Sequence, residues 1–110
     1  MVKPAPQFVD YVVDMLEPLG TVSKGRFFSG VELRIDGTQI AMLNGETLYL
    51  RVSPAMRATL EGQGGQAFSY AKRDRRVEVG RYVSVPEDAL DDDERLQDLV
   101  RAALATLDEK

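Results

Sequence analysis

The chain has 110 residues, of which 44% are hydrophobic and 29% charged, an ordinary balance for one globular domain with its own hydrophobic core. It contains no Cys and no His, which excludes disulfide scaffolds, thiol redox enzymes, serine–histidine hydrolases and the usual zinc sites. Its formal net charge of −4 works against nonspecific binding to nucleic acid.

The first predicted element is an amphipathic helix over residues 7–19. Phe8, Val12 and Leu16 recur at helical spacing, and Asp10 and Asp14 lie on the opposite face. No apolar signal sequence precedes it, and no apolar run approaches the roughly 20 residues that span a bilayer. We therefore expect a cytoplasmic protein that does not bind membranes.

Residues 25–52 predict an antiparallel meander of three strands. Two dipeptides, Asp36-Gly37 and Asn44-Gly45, separate the alternating apolar runs. Such dipeptides favour two-residue hairpin turns, in which the central residues take positive φ.

A short helix and a second hairpin come next. Ser53 is a predicted N-cap, and Pro54 suits the first turn of a helix that ends near Leu60. The hairpin arms lie around residues 68–72 and 77–85, and Gly80 predicts a bulge or a close backbone approach in the second arm. The turn between the arms, residues 72–76, carries four cations.

The last predicted helix covers residues 93–107, with N-cap candidates at residues 91–93. Residues 82–110 carry 3 Lys or Arg against 9 Asp or Glu, whereas residues 1–81 carry 11 against 9. Acidic groups at a helix N-terminus are favoured by the helix dipole, so the acidic run needs no bound cation. The whole order is α-βββ-α-ββ-α: a single α+β domain over residues 1–110, with helices packed on an antiparallel sheet.

An ordered set of short motifs along this chain resembles one known family, the N-terminal domain of the TfoX/Sxy competence regulators. The motifs are Gly25-Arg26-Phe27-Phe28-Ser29-Gly30, Leu33 before Asp36-Gly37, Ile40-Ala41, Leu48-Tyr49-Leu50-Arg51-Val52, Phe68-Ser69-Tyr70, Tyr82 to Pro86, and Leu90-Asp91-Asp92. The specificity lies in their order, which extends over nearly the whole chain.

The resemblance implies a compact α+β domain that regulates DNA-uptake competence genes in bacteria through a protein partner. The family's best-known members act as transcriptional co-activators with a cyclic-AMP receptor protein. Full-length regulators carry a second, C-terminal domain, and this chain ends at Lys110. The expectation is a stand-alone N-terminal domain without enzymatic activity, cofactor or metal.

The first candidate site is the segment Arg26, Phe27 and Phe28. Adjacent aromatic rings beside an Arg suit a partner surface, and a homodimer interface would use the same chemistry. The structural alternative places one Phe in the core and the other over a sheet edge.

The second candidate site is the basic hairpin tip, Lys72, Arg73, Arg75 and Arg76. Four cations on one turn could contact the phosphates of a nucleic acid. The alternative is a solvated turn in which Asp74 initiates the bend and the cations keep the sheet edge soluble.

Overall fold

Three α-helices and six β-strands form the part of the chain that the computed structural model describes, residues 3–27 and 30–107. The helices are α1 at Pro6–Leu16, α2 at Pro54–Gly62 and α3 at Asp93–Leu107. The strands are β1 at Val22–Phe27, β2 at Gly30–Ile35, β3 at Thr38–Asn44, β4 at Thr47–Arg51, β5 at Ala67–Lys72 and β6 at Arg75–Ser84. Short 3-10 turns follow α1 (Glu17–Leu19) and precede α3 (Glu87–Asp91).

All strands join one antiparallel sheet in the order β1-β2-β3-β4-β6-β5. The predicted α+β class and its antiparallel sheet are confirmed. The sheet has one strand more than the predicted order, because residues 22–27 form β1. Only Val22 and Phe27 are apolar in that strand, so it lacks the alternation that marks a half-buried strand.

Both predicted hairpins of the meander are present, with one change of register. The first turn uses Asp36 and Gly37, whose φ values are 50° and 86°, as predicted. In the second hairpin Asn44 pairs with Thr47, so the turn begins at Gly45 (φ 60°) instead of at Asn44. Gly at the first central position is the pattern of a type II′ turn.

The predicted irregularity at Gly80 is also present. The register between β5 and β6 shifts between Ala67 and Phe68, and the bulge on β6 contains Gly80. The guanidinium of Arg57, from α2, lies against the backbone there, so that a Cβ on Gly80 would come within 1.9 Å of its Nη1. The glycine leaves room for this close approach of the Arg57 side chain.

The three helices pack on one face of the sheet, where the larger hydrophobic core lies. Helix α3 covers β3 and β4 and contacts both other helices, and Gln97 donates a hydrogen bond to the Met15 carbonyl at 2.9 Å. The predicted N-cap of α2 is confirmed, because Ser53 Oγ accepts from the Met56 N–H at 3.2 Å. No helix in the described residues is long and apolar enough to cross a bilayer.

The opposite face of the sheet carries an aromatic cluster to which the described helices contribute no residue. Its members are Met42, Phe68 and Tyr82, which are buried, together with Phe27, Tyr49, Tyr70 and Val79. The rings of Phe27 on β1 and Tyr82 on β6 are 5.5 Å apart between centroids. Three strands lie between β1 and β6, which in a flat sheet would separate them by about 19 Å. The sheet is therefore strongly concave on this face. Its strands curve around the aromatic cluster, which forms a second, smaller core.

Candidate partner-binding surface

Strand β1 forms one edge of the sheet and leaves alternate backbone groups without a partner strand. The Asp36 N–H donates to the Thr21 carbonyl at 2.9 Å, which fixes the alternation along the regular β1–β2 ladder. Ser23 and Gly25 consequently direct their N–H and C=O groups toward β2. Those of Val22, Lys24 and Arg26 point away from the sheet.

The side chains of Lys24 and Arg26 project from the helix-covered face of this edge. In the register, Lys24 lies opposite Leu33, and Arg26 lies opposite Val31. Leu33 belongs to the core under the helices, and Val31 packs against that core. Directly opposed residues of an antiparallel pair share a face, so both cations lie beside α1.

A cleft of about 480 Å³ separates this edge from the start of α1. One wall is the β1 segment 24–26, and the other is the chain leading into α1. The floor comes from Gly30 and Val31 of β2. The lining residues are Lys3, Pro4, Pro6, Val9, Asp10, Lys24, Gly25, Arg26, Gly30 and Val31.

The cleft is positively charged over an apolar base. Lys3, Lys24 and Arg26 line it with a single carboxylate, Asp10, and all four side chains are exposed. Within residues 3–27 and 30–107, none of the three cations forms an ion pair. The arrangement is suited to an elongated ligand that carries negative charge and some apolar surface.

The other two residues of the first candidate site have different positions. Phe27 is half-buried on the concave face, with its ring against Tyr82, so it lies on the side of the sheet opposite Arg26. Phe28 lies outside the described residues. A partner that binds in the cleft would contact Arg26, whereas Phe27 anchors the strand that carries it.

The four cations of the second candidate site lie on the β5–β6 hairpin, at the other edge of the sheet. The turn itself is only Arg73 and Asp74, because Lys72 pairs with Arg75. All four cations are exposed. Arg76 is held by a hydrogen bond to Ser69 Oγ at 2.8 Å.

Arg76 also lines a second cavity, of about 520 Å³, between β4, β5 and the segment after β6. Glu46 and Glu87 line the same cavity, so its charge is mixed. Tyr49 is a further lining residue, and burial raises its pKa while its hydrogen bond with Thr47 partly opposes the rise. In the described part of the chain, no three His, Cys, Asp or Glu side chains are grouped as metal ligands would be.

Sequence reasoning found Arg26 but missed Lys3 and Lys24. The available signal was the spacing of Lys24 and Arg26, which places two cations on one face of a strand. That signal requires residues 22–27 to be recognised as a strand. The approach of Lys3 depends on the packing of α1 and has no local signature.

A comparison with protein-family models matched residues 14–107 to the model described as the TfoX N-terminal domain. The match includes every described strand as well as α2 and α3, and it confirms the resemblance found in the sequence. A search of curated proteins gave no match.

Proposed function

The chain belongs to the TfoX N-terminal domain family, and from this premise we propose that it is a non-enzymatic regulatory domain that acts through a protein partner. The observation that carries the proposal is the cationic cleft beside the open edge of β1. Arg26 lies in this cleft, within the first family motif. We further propose that the regulated process is transcription of competence genes in the bacterial cytoplasm, as the family resemblance implies.

The chemistry of the described side chains supports interaction over catalysis. Burial raises the pKa of Tyr49, but this residue lines the second cavity and not the cleft beside β1. A catalytic site normally combines such a residue with a second polar group poised to exchange a proton or to attack a substrate. The cleft instead offers exposed cations and backbone groups, which are the means of recognition.

The partner can be tested by cross-linking in extracts of the native cell, with the protein as bait. Arg26→Glu is the informative variant, and Arg101→Glu is the matched control because Arg101 is exposed on α3 and does not line the cleft. We expect a cross-linked protein that is lost with Arg26→Glu and kept with Arg101→Glu. Equal recovery of every cross-linked protein with both variants would contradict the proposal.

The regulatory role requires a separate readout. In a strain that lacks the gene, we expect transcripts of the DNA-uptake genes to fall and to be restored by the wild-type protein but not by Arg26→Glu. Unchanged transcripts in the deletion strain would remove competence from the proposal and leave the interaction surface to be judged by cross-linking.

A second candidate function is direct binding of nucleic acid by the hairpin tip. It is favoured by four exposed cations in and beside the two-residue turn of the β5–β6 hairpin, none of which forms an ion pair with a described residue. Against it, the β5–β6 hairpin lies at one end of the strand order, whereas Lys24 and Arg26 lie on β1 at the other end, so the cations of the tip and those of the cleft are on different strands.

Titration with a labelled oligonucleotide at two salt concentrations tests this alternative. Phosphate contacts would give binding that weakens steeply with salt and is reduced by Arg75→Glu. If no binding occurs at low salt, the hairpin tip is only a solvated turn.

A further inference from the structure

We propose that β1 accepts an extended segment of the protein partner as an additional antiparallel strand, and that the cleft selects segments with acidic side chains at alternate positions. This inference rests on the proposed function, since it names the chemistry of the partner that the same surface would bind.

The backbone of β1 provides the first half of the recognition. The outward-facing N–H and C=O groups of β1 belong to Val22, Lys24 and Arg26. The Thr21–Asp36 hydrogen bond shows that the alternate residues, beginning with Thr21, face β2 instead. Among the described residues, no backbone hydrogen bond outside the sheet uses these groups. An added strand would complete the ladder, as in other domains that bind peptides at an open sheet edge.

The side chains of the same strand provide the second half. A residue placed directly opposite Lys24 in an added antiparallel strand puts its side chain on the same face of the sheet, at about 5 Å between Cβ atoms. The residue opposite Arg26 is two positions away in the partner and faces the same way. Carboxylates at these two positions would meet Lys24 and Arg26, with Lys3 on the far wall of the cleft.

A second copy of this chain fits the surface poorly. Pairing two β1 strands about a two-fold axis would bring Lys24 and Arg26 of both copies together, and like charges opposed across strands are destabilising. The densest acidic run, residues 91–94, lies in the 3-10 turn and the first turn of α3. It is therefore not available as an extended strand. The charge of the cleft thus favours an acidic segment of a different protein.

A direct test uses a short fluorescein-labelled peptide in which Glu alternates with Thr, with a matched peptide in which Gln replaces Glu. We expect the Glu peptide to bind the full chain at low salt, and the Gln peptide to bind at least about tenfold more weakly, since the Gln peptide loses both cross-strand ion pairs. Equal binding of the two peptides would overturn the acidic selectivity.

Two N-methylated forms of the Glu peptide separate strand addition from simple ionic attraction. In the antiparallel arrangement the Glu amides face β1 and the Thr amides face solvent. Methylation at Glu should abolish binding, and methylation at Thr should leave it within about twofold, since the hydrogen bonds to β1 would be kept. Equal binding of both forms would overturn strand addition, and so would competition by an oligonucleotide that matches the peptide in affinity.

Variants of the protein locate the site. Lys24→Glu combined with Arg26→Glu should weaken the Glu peptide by at least about tenfold, and Arg101→Glu should not. Hydrogen exchange gives a readout independent of affinity: the amides of Val22, Lys24 and Arg26 should become protected on binding. Unchanged exchange at these three amides would contradict the proposal. So would the detection, by analytical ultracentrifugation, of a dimer of this chain that is lost in the Lys24→Glu, Arg26→Glu variant.

Failure of this inference and failure of the proposed function would look different. If cross-linking captures a partner that depends on Arg26 but the Glu peptide does not bind, the regulatory interaction stands and strand addition is wrong. If the peptide binds as expected but no partner is captured, the surface is real and the regulatory proposal fails.

Discussion

At the scale of single residues, Gly30 is fixed by a neighbouring backbone and not by its own φ. A Cβ at this position would lie 2.1 Å from the carbonyl oxygen of Leu43, on the adjacent strand. We expect Gly30→Ala to lower the free energy of unfolding by about 3 kcal/mol, because β2 and β3 would have to separate locally. Urea denaturation measures the change.

Gly62 offers a matched control for that substitution. It is the last residue of α2, and a Cβ there would have no atom within 4 Å. Gly62→Ala should be neutral or stabilise the protein by up to about 0.5 kcal/mol, since Ala has the higher helix propensity. Similar losses for both variants would show that Gly30 is not sterically required.

Tyr49 gives the chain a specific response to alkaline pH. Burial raises its pKa above the ordinary 10.0, and the Thr47 hydrogen bond offsets part of the rise. The folded state therefore favours the protonated phenol. Its contribution to stability is complete below the pKa of the unfolded chain and is lost as the pH rises through the folded pKa.

Replacing Tyr49 with Phe should remove this response. We expect the free energy of unfolding of the wild type to fall more steeply than that of Tyr49→Phe between about pH 9 and about pH 11. Denaturation at several pH values compares the slopes. Parallel curves for the two proteins would mean that Tyr49 ionises equally easily in the folded and unfolded chains.

At the scale of elements, the start of α2 depends on one hydroxyl group. Ser53 Oγ accepts from the Met56 N–H, and Met56 is itself buried in the main core. We expect Ser53→Ala to cost about 1 kcal/mol and Ser53→Asp to retain most of the stability, because Asp is an equally good N-cap. Thermal melting distinguishes the two. Equal losses would show that the hydroxyl makes a contact other than the cap.

The elements also show where sequence patterns succeed. The cap of α2, the bulge at Gly80 and the extent of α3 each follow from local rules and were predicted. Strand β1 was missed because its residues are mostly polar and its position is secured by neighbours: β2 along one side and Tyr82 against Phe27. The turn at Gly45 differs from the predicted one by a residue because register is set by pairing along the whole hairpin.

The candidate site divides in the same way. Arg26 was identified because it stands beside two adjacent aromatic residues, but the cleft requires the first helix, β1 and β2 to come together. Sequence periodicity describes each of these elements alone. The separation of Arg26 from Phe27, on opposite faces of one strand, could be inferred only after residues 22–27 were known to be extended.

At the scale of the whole molecule, the curvature of the sheet connects the second core to the proposed binding edge. The helices cover one face of the sheet. On the other face the sheet is curved, so that side chains from β1 and β6 meet over the aromatic cluster. Phe27 is the point where β1 meets the aromatic cluster. Its ring therefore fixes the position of the edge strand, whose opposite, helix-covered face carries Lys24 and Arg26.

A double-mutant cycle tests this curvature. Because the Phe27 and Tyr82 rings are 5.5 Å apart, the losses in free energy of unfolding from Phe27→Leu and Tyr82→Leu should fail to add, with a coupling of about 1 kcal/mol. The control combines Phe27→Leu with Leu99→Ala, because Leu99 packs against the helix-side core and not against the aromatic cluster. For this pair we expect the losses in free energy of unfolding to add. Additive losses for Phe27 and Tyr82 would mean that β1 and β6 do not meet in solution. The edge of β1 would then lack the support that a rigid binding strand needs, and the peptide should bind Phe27→Leu as tightly as the wild type.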